Sequence, residues 1–183
     1  MYQISITLKY SAPAIWRRIL VDGALSLLRL NHMIQASMGW QNLHRHEFII
    51  GKSHYGYPDP DNFDATALRD SSGVTVAHSL KIGKPCTYIY DFGDGWEHEI
   101  VVEEILSHGR AKPPACLDGA RACPPEDCGG MPGYEHMLGI LTNPLYAEYA
   151  EVQRWLGKEF DPEEFCPAAA TRRMRSPRWQ NMP

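Results

Sequence analysis

The chain has 183 residues, of which 44% are hydrophobic, 10% aromatic and 22% charged, the mix of an ordinary globular domain. That composition excludes a disordered tail, a collagen-like fibre and a coiled coil, and the length predicts one domain able to bury a core without covalent staples. Formal charge is −4, but the last thirteen residues hold Arg172, Arg173, Arg175 and Arg178 and no acid, so residues 1–170 carry −8, which argues against broad electrostatic coating of DNA.

Residues 1–170 are therefore expected to form the domain, and residues 171–183 a short basic tail, read as a solvated end whose arginines could still touch phosphate or an acidic partner. No window approaches the roughly 18 apolar residues of a membrane helix, and the start lacks a basic and then apolar leader, so a cytoplasmic protein without a membrane partner is expected.

Residues 2–9 alternate, with Tyr2, Ile4, Ile6 and Leu8 on one side and Gln3, Ser5, Thr7 and Lys9 on the other, which predicts a half-buried strand. After Ser11-Ala12-Pro13, the β-branched run from Ile15 to Val21 predicts an antiparallel return. Leu27, Leu30, Ile34 and Met38 then recur at helical spacing, with Ser26 as N-cap and Gly39 as left-handed C-cap.

From His44 to Ile50 alternation resumes and predicts a strand with His44, His46, Phe48 and Ile50 on one face. Ser53 to Gly73, with Asp59, Asp61, Asp64 and Asp70, reads as a long acidic loop. Thr87–Phe92 and Trp96–Ile105 predict a hairpin through Gly93-Asp94-Gly95, with His98 on its apolar face. Residues 113–133 hold nine Gly and Pro in 21 positions and read as irregular. Helices are expected over Tyr134–Leu141 and from Asn143-Pro144 to Gly157, a capping box at Asp161-Pro162-Glu163-Glu164, and a last helix limited by Pro167. Hairpins with separate helices predict an α+β fold, a largely antiparallel sheet packed with helices.

Five cysteines is an odd number, and Cys116, Cys123 and Cys128 crowd into the Gly/Pro-rich segment, which in a reducing compartment suggests metal more than disulfides. Three thiolates suit a tetrahedral zinc, with inward His98 as first choice for the fourth ligand and His44, His46 or His136 behind it. The alternative is reduced cysteines packed as small hydrophobes. His44 and His46, with Asp91 and Asp94 at the glycine turn, form a second candidate set, either ligand-binding and able to activate water on a metal, or bonded locally. No phosphate-binding glycine loop, nucleophile elbow or His-Glu-x-x-His helix is present.

The strings Ile15-Trp16-Arg17-Arg18-Ile19, Met38-Gly39-Trp40, His44-x-His46-x-Phe48, Tyr90-Asp91-Phe92-Gly93-Asp94-Gly95-Trp96-Glu97-His98 and Arg121-Ala122-Cys123-Pro124-Pro125-Glu126-Asp127-Cys128-Gly129-Gly130 resemble the Ri-plasmid ORF-three-like family, also labelled insertion-element passenger proteins of TnpR type. The resemblance runs from about Tyr2 to Phe165. It implies an α+β domain and an accessory or binding role in mobile DNA, with no established reaction. The serine-recombinase pattern that TnpR suggests is absent here. Arg45 stands where the family commonly has leucine, and Cys166 where an acid is usual, which makes Cys166 a poor ligand.

Overall fold

A computed structural model describes residues 1–58, 68–107, 112–157 and 159–182. Asp59, Asp61 and Asp64 of the expected acidic loop lie outside the described residues. The strands are β1 (Tyr2–Leu8), β2 (Trp16–Val21), β3 (His46–Ile50), β4 (Ser53–Gly56), β5 (Arg69–Asp70), β6 (Cys86–Tyr90), β7 (Trp96–Ile105) and β8 (Ala115–Ala120). Together they form a single sheet in the order β5-β4-β3-β6-β7-β1-β2-β8, antiparallel except where β4 meets β5. The helices are α1 (Leu27–Met38), α2 (Val76–Ser79), α3 (Gly130–Leu141), α4 (Tyr149–Leu156), α5 (Pro167–Arg175) and α6 (Pro177–Gln180). This is the expected α+β architecture.

The alternation of β1 carries Ile4, Ile6 and Leu8 into the core, with Ile4 opposite Ile19 of β2 and Val102 of β7, and Ile6 opposite Ile100 of β7. Helix α1 begins where Ser26 accepts from Arg29 N and ends where Gly39 turns left-handed at φ 116°. It lies between the sheet and α5 and α6, so it is buried almost all round, including Asn31, His32, Gln35 and Ser37.

A buried polar group costs the fold unless it is paired. On α1 the pairing runs through one phenol: Gln35 Nε2 donates to Tyr88 Oη (2.9 Å), which donates to Asn31 Oδ1 (2.6 Å). Asn31 Nδ2 in turn donates to Asn42 Oδ1, and Asn42 N to Gln35 Oε1. Replacing Tyr88 by Phe leaves two buried partners unsatisfied and is expected to cost about 1–3 kcal/mol in urea unfolding. An unchanged midpoint would mean the network contributes nothing.

Several elements depart from the sequence reading. Residues 115–120 are a strand, because the free edge of β2 pairs with them despite their glycine content. Asp161 makes a turn rather than a helix start, its carboxylate accepting from Glu163 N, and Pro167 begins α5 at its first position. The acidic loop is bounded by β4 and β5, and Asp70 caps a short 3-10 turn at Ser71–Gly73. Residues 143–148 are turns, so α4 starts only at Tyr149.

The largest difference is at the basic end. It is helical and packed, with Met174 and Trp179 buried and Arg173 Nε donating to Ala36 O at the end of α1. Arg29 holds the following segment by donating to Gln180 O and Met182 O. The arginines concealed this, because their spacing reads as a solvated face while Met174 between them and Trp179 just after Arg178 face inward. No helix among the described residues is long and apolar enough to cross a membrane.

Candidate functional site

Three of the singled-out strings meet at one end of the sheet: the segment after α1, the β6–β7 turn, and the Cys/Pro-rich loop before α3. Trp40 is buried with its ring 5.0 Å from Tyr90 and 5.8 Å from Trp96, and its Nε1 donates to Pro124 O (2.9 Å). Glu126 fastens the same loop, since Gln41 N donates to its Oε1 (2.7 Å) and Tyr90 Oη lies 3.1 Å from both of its oxygens. Leu43 N donates to Tyr90 Oη (3.0 Å), so one phenol anchors two loops. Burial and the neighbouring Glu126 charge push the Tyr90 phenol well above its ordinary pKa, keeping it a donor.

The turn is built around Asp91. Its backbone is left-handed (φ 55°), its Oδ1 accepts from Gly93 N (2.9 Å), and its carbonyl accepts from Gly95 N. Asp94 reaches across to accept from Gly129 N (3.2 Å). Gly130, at φ 66°, packs so closely that a Cβ there would lie 2.4 Å from Asp94 O. Asp127 is also left-handed (φ 57°), which turns its carboxylate back toward the sheet.

His44 completes the arrangement. Its Nε2 lies 3.0 Å from Asp127 Oδ1 and 3.6 Å from Asp91 Oδ2, and makes no aligned hydrogen bond. The ligand atoms of His44, Asp91 and Asp127 all lie within 4.8 Å of one another, the one such group found among the described residues. Asp91 is nearly buried while Asp127 is 64% exposed, so the group opens to solvent on the loop side.

The predicted site residues therefore separate. His44 and Asp91 come together, with Asp127 as a third member that the sequence showed only as part of the Cys-Pro-Pro-Glu-Asp-Cys string. Asp94 serves the backbone of the loop. His44 does not share a strand face with His46, because β3 begins at His46 and the preceding segment is drawn aside by the bond from Leu43 N to Tyr90 Oη. His46 turns into the core against Phe48 and Tyr88, where burial lowers it to about 4.

His98 is fully buried as expected, and its Nδ1 donates to Trp96 O (3.0 Å). Among the described residues, however, no three of Cys116, Cys123, Cys128 and His98 present ligand atoms within 4.8 Å of one another. Cys116 belongs to β8, where its thiol donates to Asp118 O, while Cys123 and Cys128 lie on the loop beyond. Burial pushes the thiols up, Cys116 to about 11 and Cys128 to about 12, with the charge of Asp94 adding to the second. His136 lies on α3.

The basic end is similarly committed within the chain: Arg173 binds Ala36 O, Arg175 Pro114 O, and Arg178 Gln41 O.

A twisted antiparallel sheet with one deeply buried helix, and a His-Asp-Asp group where three loops meet at its end, defines an α+β domain with a candidate cation centre. The chain matches the model of the plasmid pRiA4b ORF-3-like protein family over residues 1–169, and it belongs to that family. It is 34% identical over 157 residues, 85% of this chain and 80% of the other, to the uncharacterized protein y4hQ of Sinorhizobium fredii. A crystal structure of a protein of unknown function, MM3350 from Methanosarcina mazei Go1, superposes with a TM-score of 0.82 at 35% identity, covering 92% of this chain and 94% of that one.

Proposed function

We propose that this protein is a metal-stabilised binding module in which His44, Asp91 and Asp127 hold one divalent cation and thereby tie the Cys/Pro-rich loop to the end of the sheet. The observation that carries this reading is the meeting of an imidazole nitrogen without a hydrogen bond and two carboxylates within 4.8 Å. One nitrogen and two oxygens form a borderline-hard set, for which zinc is the proposed ion and manganese the competitor. The resemblance to plasmid and insertion-element proteins makes mobile DNA the proposed setting.

Metal-stripped protein titrated with zinc in a calorimeter is expected to take up one equivalent and to melt at a higher temperature, because a ligand of the folded state alone stabilises it. His44→Ala and Asp127→Asn are each expected to weaken binding about ten-fold or more, while Cys123→Ser leaves it unchanged. Loss of binding in Cys123→Ser with retention in His44→Ala would overturn this ligand set and favour the cysteines.

A second reading, a metal-dependent hydrolase, is favoured by the open side of the centre. Three protein ligands leave coordination positions for water, and Glu126 beside Asp127 lines a cavity of about 390 Å³. Zinc- or manganese-dependent turnover of ester or phosphoester probes, absent in His44→Ala, would support it; no turnover across such a panel would remove it.

A further inference from the structure

The cavity beside Glu126 has a chemistry of its own. Among the described residues its lining includes Trp40, Trp155 and Phe160 with the prolines Pro124 and Pro125, and Glu126 is the one charged residue of that lining. That carboxylate is fixed, held by Gln41 N and Tyr90 Oη, and it forms no ion pair with any lysine or arginine among the described residues. The outer wall is α4, which buries none of its own residues and leaves Trp155 50% exposed. A Trp so exposed on a short helix, facing a space of about 390 Å³, is poorly explained by packing alone.

We infer that this cavity is a binding site for an organic cation, an ammonium or guanidinium group carried on an apolar or planar body. Aromatic side chains attract a cation through their quadrupole, and a carboxylate held in place by two hydrogen-bond donors supplies its counter-charge. The same walls disfavour the alternatives. An anion would meet Glu126, and a small inorganic ion would find aromatic residues and prolines in place of its hydration shell. The surrounding body, at −8 over residues 1–170, draws cations toward the site. The inference does not depend on an ion at His44.

The test uses the full-length protein stripped of metal, with Trp fluorescence and calorimetry as readouts. Benzamidinium is the cationic probe, benzamide its neutral isostere and benzoate the anion. Benzamidinium is expected to bind about ten-fold more tightly than benzamide, and benzoate not at all. Trp155→Ala is expected to weaken benzamidinium about ten-fold and Trp155→Phe by no more than about three-fold, since the second keeps a ring. Glu126→Gln should erase the preference for benzamidinium over benzamide. Because Glu126 also anchors the loop, Trp155 on the exposed helix gives the variant that leaves the fold intact. An arginine-containing tetrapeptide compared with free agmatine then separates a peptide side chain from a small amine as the source of the cation. Equal binding of benzamide and benzamidinium, or undiminished binding in Trp155→Ala, would overturn the inference.

Discussion

Replacing Arg17 by methionine is expected to lower the unfolding free energy by about 4 kcal/mol, allowing about 1 kcal/mol for each buried carbonyl that loses its donor. Arg17 is 1% exposed on β2 and donates to Ser37 O, Trp16 O, Ala120 O and Arg121 O, at 2.8 to 3.1 Å. Its guanidinium also lies 4.0 Å above the ring of Phe165. Burial lowers its pKa, yet guanidinium stays charged in proteins, so the fold accommodates a cation whose hydrogen bonds go to carbonyl dipoles rather than a carboxylate. Methionine fills most of the stem volume but supplies none of the donors, so the end of α1, the β2–β8 edge and the start of the Cys/Pro-rich loop lose their common clasp. In thermal melts this corresponds to a drop of about 10 °C for a domain of this size. A variant melting within a degree or two of the parent would show that the carbonyls find other donors.

Acidification from pH 7 to pH 4.5 is expected to remove several kcal/mol of stability, through three buried imidazoles. His98 is held at about 3 and His32 and His46 at about 4, all mainly by burial. Arg17 and Lys9 lower His98 further, Arg29 lowers His32, and His32 lowers His46, with the ring of Trp179 also near His32. An unfolded imidazole titrates near 6.5, so above that pH neither state binds the proton and stability is unaffected. Below it the unfolded chain takes up three protons that the folded chain refuses. Stability therefore falls with pH by up to about 1.4 kcal/mol per unit for each histidine, roughly 8 kcal/mol by pH 4.5. Glu103, lowered by its bonds to Arg18, adds a loss only below its ordinary value of 4.5, which separates the two windows. Urea midpoints across this range check the slope. The double variant His32→Asn, His98→Phe should cut the slope to about a third, the share of His46, and a flat profile in the parent would sink the argument.

Where local signals and tertiary partners agreed, the fold was legible in the sequence. Ser26, Gly39 and the apolar spacing between them specify α1 without reference to anything else. The β6–β7 hairpin was equally plain, although its left-handed positions are Asp91 and Gly95 rather than the two glycines, and Phe92 leaves the strand to stand 56% exposed. The strand at 115–120 was not legible, since its glycine and its alternation are both poor and only the open edge of β2 makes it a strand. The site was legible as a neighbourhood but not as a ligand set. Two of its three residues, His44 and Asp91, could be singled out, but which carboxylate faces His44 is decided by two left-handed aspartates and by hydrogen bonds to Tyr90 and Gly129, none of which leaves a trace in spacing.

The position of β1 has a consequence for synthesis. The first strand of the chain lies inside the sheet, between β2 and β7, and its terminal amine donates to Leu106 O, 105 positions away. At about 5–20 residues per second, the ribosome delivers β7 roughly 5–20 seconds after β1. Until then the β1–β2 hairpin has an open edge and an apolar face of Ile4, Ile6 and Leu8 exposed, the kind of surface that holding chaperones recognise. Nascent chains stalled before Trp96 should therefore be chaperone-bound, and those carrying the complete β7 strand released.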